Sequence, residues 1–190
     1  MTASRQQAVA NALASTTNTP RYCARWTRER FGVAALGDYD GDGAADAEDM
    51  WKAARVRHED DNPPAGVPVY WGGGSQDNGH AAVSLGGGMI RSTDAGGPGR
   101  VASVPLDFPT RQWGMPYLGW SEDLYGHVIP DENARSPRDI ARDAVRPDLN
   151  AAMKHTKAAD ALVKGRPRLK FAIRKMRYWT RRARRINRGD

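Results

Sequence analysis

A single cysteine stands in the 190-residue chain, Cys23. One thiol excludes an internal disulfide framework, and there is no Cys/His spacing for a zinc site. No stretch approaches the roughly 18 consecutive apolar residues of a membrane span. The opening MTASRQQAVANALAS lacks both a basic start and a continuous apolar core, so no secretory signal is expected. The runs Gly72–Gly74 and Gly86–Gly88 lack the Lys-Ser/Thr of a phosphate-binding loop. Acidic residues are scarce at one end. Residues 151–190 hold 14 Lys+Arg against 2 Asp+Glu, leaving 15 against 20 in residues 1–150. The net charge of +7 therefore describes a basic tail on a mildly acidic domain.

What is present suffices for a core: 39% of residues are hydrophobic and 27% charged. Helices are expected over 3–14, over Pro20–Phe31 with Thr19 as cap and Gly32 as stop, and over Ala47–Arg57. After Gly66 the texture changes to short apolar runs between glycines. Strands are expected at Val67–Trp71, His80–Leu85, Met89–Thr93, Val101–Val104 and Tyr117–Trp120, with a helical segment at Phe108–Trp113. Helices first and an antiparallel meander afterwards indicate an α+β domain over residues 1–130. Residues 131–164 read as a linker with a weak helix at 147–164, and 165–190 as a basic tail.

Cys23 falls in the first turn of a helix, where the partial positive charge favours the thiolate. His80 opens a strand directly after Gly79. An imidazole beside a thiol takes its proton and later protonates the leaving amine. Ser92 and Asp94 lie on one face of the next strand by the two-residue period. Asp94 is the expected orienter of His80, because a carboxylate holds an imidazolium by charge as well as by hydrogen bond; Ser92 is the other candidate. Trp26, Trp51, Trp71, Trp113 and Trp120 occupy periodic apolar positions and are expected in the core. His58, His127 and His155 have no partner pattern.

The order Cys-helix, then GVPVYW, then GHAAVSLGGGMIRSTD resembles the NlpC/P60 and CHAP group of papain-like cysteine peptidases, over about residues 4–128. Its closing part is WGMPYLGW. The resemblance implies a papain-like fold, with N-terminal helices packed on an antiparallel sheet. It implies hydrolysis of peptidoglycan as a cysteine endopeptidase or amidase, with Cys23 as nucleophile, His80 as general base and Asp94 as third residue. It is closest to endolysins of actinobacterial phages, made in a host cytoplasm without a signal peptide and acting at the wall as monomers. Tyr22-Cys23-Ala24 departs from the family's usual Asp-Cys-Ser/Gly. A non-enzymatic wall- or virion-associated protein with the same fold is the alternative.

Between the nucleophile's helix and the strands lies an acidic insertion, DYDGDGAADAED over 38–49. Oxygen ligands at Asp38, Asp40 and Asp42, Gly43 at the sharp turn, the Ala44 carbonyl, Asp46 and a closing Asp49 match an EF-hand-type calcium loop. The closing residue is Asp rather than Glu, as in dockerin-like loops. A single loop suits a structural Ca²⁺ better than a sensor.

In Arg168–Arg185, Leu169, Ile173, Met176, Thr180 and Ala183 recur at helical spacing among Lys and Arg. This is a basic amphipathic helix. Its expected partner is an anionic wall polymer or membrane surface. A solvated tail and nucleic acid are the competing readings, and no specific nucleic-acid motif is present.

Overall fold

The computed structural model describes residues 2–35, 37–39, 41–134, 147, 150–155 and 167–188; for Ser75, 167–173, 184 and 186–188 it describes the backbone alone. Two compact units result, Met1–Glu132 and Asn133–Asp190. The expected linker and weak helix fall largely outside the described residues, apart from a helical stretch at 150–155.

Helix α1, Arg5–Ala14, starts at Ser4, whose Oγ accepts the Gln7 N–H at 3.3 Å. Its small residues Ala8 and Ala12 are fully buried, which lets the helix lie close to its neighbour. That neighbour is α2, Cys23–Phe31, stopped by Gly32 in the left-handed conformation at φ 66°. Asn11 Nδ2 donates to the Arg30 carbonyl at 2.9 Å, and Arg30 returns a bond to the Asn11 carbonyl at 3.3 Å. The expected start at Pro20 is corrected. Arg21 has φ 71° and donates its N–H to Asp94 Oδ2 at 3.2 Å, so the chain cannot be helical before Cys23.

Helix α3, Ala47–Ala53, begins with a capping box in which Asp46 and Asp49 each accept the other's backbone N–H. It ends four residues earlier than expected. The N–H groups of Arg55 and Val56 are both taken by Asp123 Oδ1 at 2.9 Å, and Arg57–His58 then join the sheet as β1.

The main sheet is antiparallel with the order β1-β6-β2-β3-β4-β5. Its strands after β1 are β2 (Pro68–Trp71), β3 (His80–Gly86), β4 (Met89–Thr93), β5 (Val101–Pro105) and β6 (Tyr117–Ser121). The meander expected throughout holds for β2–β5. After helix α4 (Phe108–Trp113) the chain instead returns to the far side of β2 as β6. A small hairpin, β7 (Asp123–Leu124) and β8 (His127–Val128), follows.

The sheet is buried on both faces. Ala8, Ala12, Trp26, Phe31 and Met50 from the helices pack with Tyr70, Ala81 and Val83 on one side. Val67, Val69, Trp71, Ala82, Ile90, Met115 and Trp120 form a second cluster. Strand alternation thus turns Ala81 and Val83 toward the helices and Ala82 away from them. The architecture is α+β, with the N-terminal helices on an antiparallel sheet. No described helix is long and apolar enough to cross a membrane.

Candidate active site

Cys23 is the first residue of α2, and His80 is the first residue of β3. Both line one cleft of about 860 Å³, together with Arg21, Asp46, Asp94 and Trp113. The backbone N–H groups of Ala24 and Ala81 donate to the Cys23 sulfur, so the starts of helix and strand meet at the thiol. As the opening residue of α2, Cys23 has no intrahelical carbonyl for its own N–H, which suits a developing oxyanion.

Burial decides the protonation states. It pushes the Cys23 thiol up from 9.0 to about 11, against the two N–H bonds, and the charges of Asp94 and Asp46 push the same way. The expected thiolate at the helix N-terminus is therefore corrected: desolvation outweighs the helix end. Burial likewise takes His80 down from 6.5 to about 4, with the Asp94 charge acting in the opposite direction. Both shifts favour the neutral forms, a thiol at Cys23 and an imidazole at His80.

Ser92 Oγ donates to the Thr93 carbonyl at 3.2 Å, which can only accept. The 2.9 Å bond between Ser92 Oγ and His80 Nε2 is compatible with a hydroxyl that accepts from Nε2–H while it donates to Thr93. In that arrangement Nδ1 keeps the lone pair that a general base needs. Val83 lies opposite Arg91, so extending that register puts Ser92 beside Ala82, diagonal to His80.

This corrects the expected role of Asp94. The side chain hydrogen-bonded to His80 is that of Ser92, which is fully buried. Asp94 lies just beyond the end of β4, at φ 58°. Its carboxylate accepts the Arg21 N–H at 3.2 Å and the Gly99 N–H at 2.7 Å. It secures the turn before Cys23 and acts on the imidazole by charge.

Gly79 sets the approach of His80. At φ 67°, a Cβ there would stand 2.7 Å from the Trp71 carbonyl and 3.3 Å from the Glu48 nitrogen. The preceding Asn78 carbonyl accepts N–H groups of Ala47 at 3.1 Å and Glu48 at 3.4 Å. The start of α3 is thereby tied to the residue two before the imidazole. Around the ring stand Trp71, centroid at 5.8 Å, and Trp113, edge-on at 5.0 Å. Trp113 was expected in the core, yet it is 37% exposed and lines the cleft. The short α4 carries it there. Arg21, Gln76 and Asp94, all at positive φ, also line this cleft, a concentration of backbone strain at a recess. No sequence pattern marked Trp113, Arg21 or Gln76 for it.

The acidic loop is wound around its first carboxylate. Asp38 accepts N–H groups from Gly41, from Asp42 at 3.2 Å and from Gly43 at 2.8 Å. Asp42 accepts from Ala44 at 2.8 Å. Asp49, fully buried, accepts from Tyr39 at 2.6 Å and Asp46 at 3.0 Å. Asp40 lies outside the described residues. Among the described residues no group of three or more His, Cys, Asp and Glu side chains is placed to hold a metal ion. In this geometry Asp38, Asp42, Asp46 and Asp49 accept backbone N–H groups, and Asp46 and Asp49 cap α3.

His58, assigned no role, lies stacked on Trp120 at 3.9 Å with Nε2 3.0 Å from Glu122. Its ring covers a buried indole away from the cleft. No family model, no curated protein and no solved structure matches the chain.

Proposed function

We propose that the chain is a peptidoglycan hydrolase, a cysteine endopeptidase or amidase on a papain-like, NlpC/P60-type domain. The observation that carries the reading is the line Cys23–His80–Ser92. A thiol at a helix start and an imidazole bonded to a buried hydroxyl line the same cleft, of about 860 Å³.

His80 Nδ1 takes the thiol proton as Cys23 Sγ attacks the scissile carbonyl carbon. The oxyanion is met by the Cys23 N–H at the start of α2. The C–N bond breaks as the imidazolium gives its proton to the departing amine. Water, deprotonated by His80, then hydrolyses the thioester. Ser92 has no charge with which to hold the imidazolium, so the base is weak and the proton returns readily to the leaving group.

For the insertion over 38–49 we propose a structural Ca²⁺, on the spacing of its oxygen ligands alone. The ion takes no part in the chemistry.

One observation favours a non-enzymatic wall- or virion-associated protein: a thiol held neutral at about 11 is a poor resting nucleophile. Digestion of purified actinobacterial peptidoglycan, with mass spectrometry of the new ends, separates the two readings. The hydrolase releases muropeptides with defined new termini, and Cys23→Ala releases none. No new ends from the wild type, or equal release by Cys23→Ala, would refute the hydrolase.

A further inference from the structure

Helix α5, Pro167–Arg188, contains ten Lys and Arg and no Asp or Glu in its 22 residues. At 1.5 Å per residue it is roughly 33 Å long. Without acids no ion pair forms within the helix. Arg177, Arg181 and Arg185 follow one another at four-residue spacing, which sets like charges side by side. Arg174, Arg177, Tyr178, Arg181, Arg182 and Arg185 line one recess of about 500 Å³. Such a ridge is at its most stable where something anionic and extended covers it.

The other side of the helix carries the second observation. In 100° steps Met176, Trp179, Thr180 and Ala183 fall on one face. Met176 is 58% exposed and Trp179 52%. The Arg182 guanidinium sits over the Trp179 ring at 5.4 Å, at the seam between the two faces. Nucleic acid or an anionic wall polymer offers phosphates to the ridge, but neither covers an apolar stripe. A bilayer interface takes both faces at once, with phosphates beside the arginines and acyl chains beneath Met176 and Trp179. Ten cationic side chains exclude a spanning orientation.

We propose that α5 is a membrane-surface helix that lies in the headgroup region of an anionic bilayer. Its apolar face points down and its arginine ridge meets lipid phosphates. This does not depend on the hydrolase reading.

The test is co-sedimentation of the full chain with phosphatidylcholine vesicles and with vesicles of equal parts phosphatidylcholine and phosphatidylglycerol. Binding is expected to the mixed vesicles and not to the neutral ones. Arg177→Gln with Arg181→Gln is expected to lower the partition coefficient about 25-fold, roughly fivefold per charge. Met176→Gln with Trp179→Gln leaves the charge unchanged and is expected to lower it about tenfold or more. Brominated lipid should quench the fluorescence of the wild type more than that of Trp179→Phe. Equal binding to both vesicles overturns the proposal. So does full retention of binding by the Met176/Trp179 double variant, because the apolar face would then be idle. Complete displacement from mixed vesicles by single-stranded DNA at equal phosphate overturns it in favour of a nucleic-acid helix.

Discussion

The carboxylate of Asp94 holds the backbone N–H of Arg21 at 3.2 Å, across 73 residues and two positions before Cys23. With Arg21 at φ 71°, that bond lies in a turn that precedes a helix starting at Cys23 rather than at Pro20. Asp94→Ala removes the acceptor for two N–H groups, Arg21 and Gly99. Unfolding free energy is expected to fall by about 2 kcal/mol, with activity falling alongside it. Asp94→Asn keeps one acceptor and loses the charge. It should stay closer to the wild type in stability, and the acid limb of its pH–rate profile should move lower. An acid limb unmoved in Asp94→Asn would show that the Asp94 charge does not reach the imidazole.

Ser92→Ala leaves His80 Nε2–H without its buried partner. The Nδ1–H tautomer, which cannot accept the thiol proton, is then no longer disfavoured. Wall hydrolysis is expected to drop by about 10²-fold, with the circular dichroism spectrum unchanged. Ser92→Thr keeps the hydroxyl and should restore part of the rate. Full activity in Ser92→Ala would remove Ser92 from the orienting role.

A neutral resting pair has its own pH signature. The base works only unprotonated, so the acid limb of kcat/KM is expected near pH 4. Iodoacetamide labelling of Cys23 should climb steadily from neutral pH toward about 11. A labelling plateau already present at pH 5 would mean a thiolate–imidazolium pair instead. Stability follows the same group. The His80 value is depressed on folding, so the unfolded chain binds the extra proton between pH 6.5 and about 4. Its contribution is complete above pH 6.5 and is lost as pH falls to about 4, on the order of 3 kcal/mol. Denaturant titrations of wild type and His80→Gln across this window isolate the effect, because the variant lacks it.

Calcium binding at 38–49 is expected to raise the melting temperature by several degrees at concentrations well above Kd. EGTA should reverse the rise, and Asp42→Ala should abolish it. Because Ala47 and Glu48 bond the Asn78 carbonyl, loosening the loop also loosens the approach to His80. Activity loss in EGTA should therefore track unfolding. A melting curve indifferent to millimolar Ca²⁺, with no heat of binding, would leave the loop as a self-capped acidic turn.

Several elements were legible from local chemistry. Met89–Thr93 and Phe108–Trp113 coincide with expectation because glycines and prolines bound them. Gly32 stops α2 as expected, since only the left-handed conformation ends a helix there without strain. The N-terminus of α2 and the C-terminus of α3 were not legible. Each is set by a distant carboxylate, Asp94 and Asp123, taking backbone N–H groups that the helix would otherwise direct. Strand β1 was invisible for a similar reason, being two residues whose pairing partner lies 62 to 64 positions away.

The sequence by itself determined the α+β order of elements, the placing of Cys23 near the start of a helix and the opening of a strand by His80. These follow from short-range periodicity, capping and glycine placement. Tertiary structure alone decided which of Ser92 and Asp94 partners His80. Strand register carries Ser92 to Nε2 at 2.9 Å, while the left-handed turn at Asp94 swings its carboxylate toward Arg21 and Gly99. It also decided the protonation of the pair. Helix position favours a thiolate, but depth of burial is a property of the packed chain, and desolvation prevails.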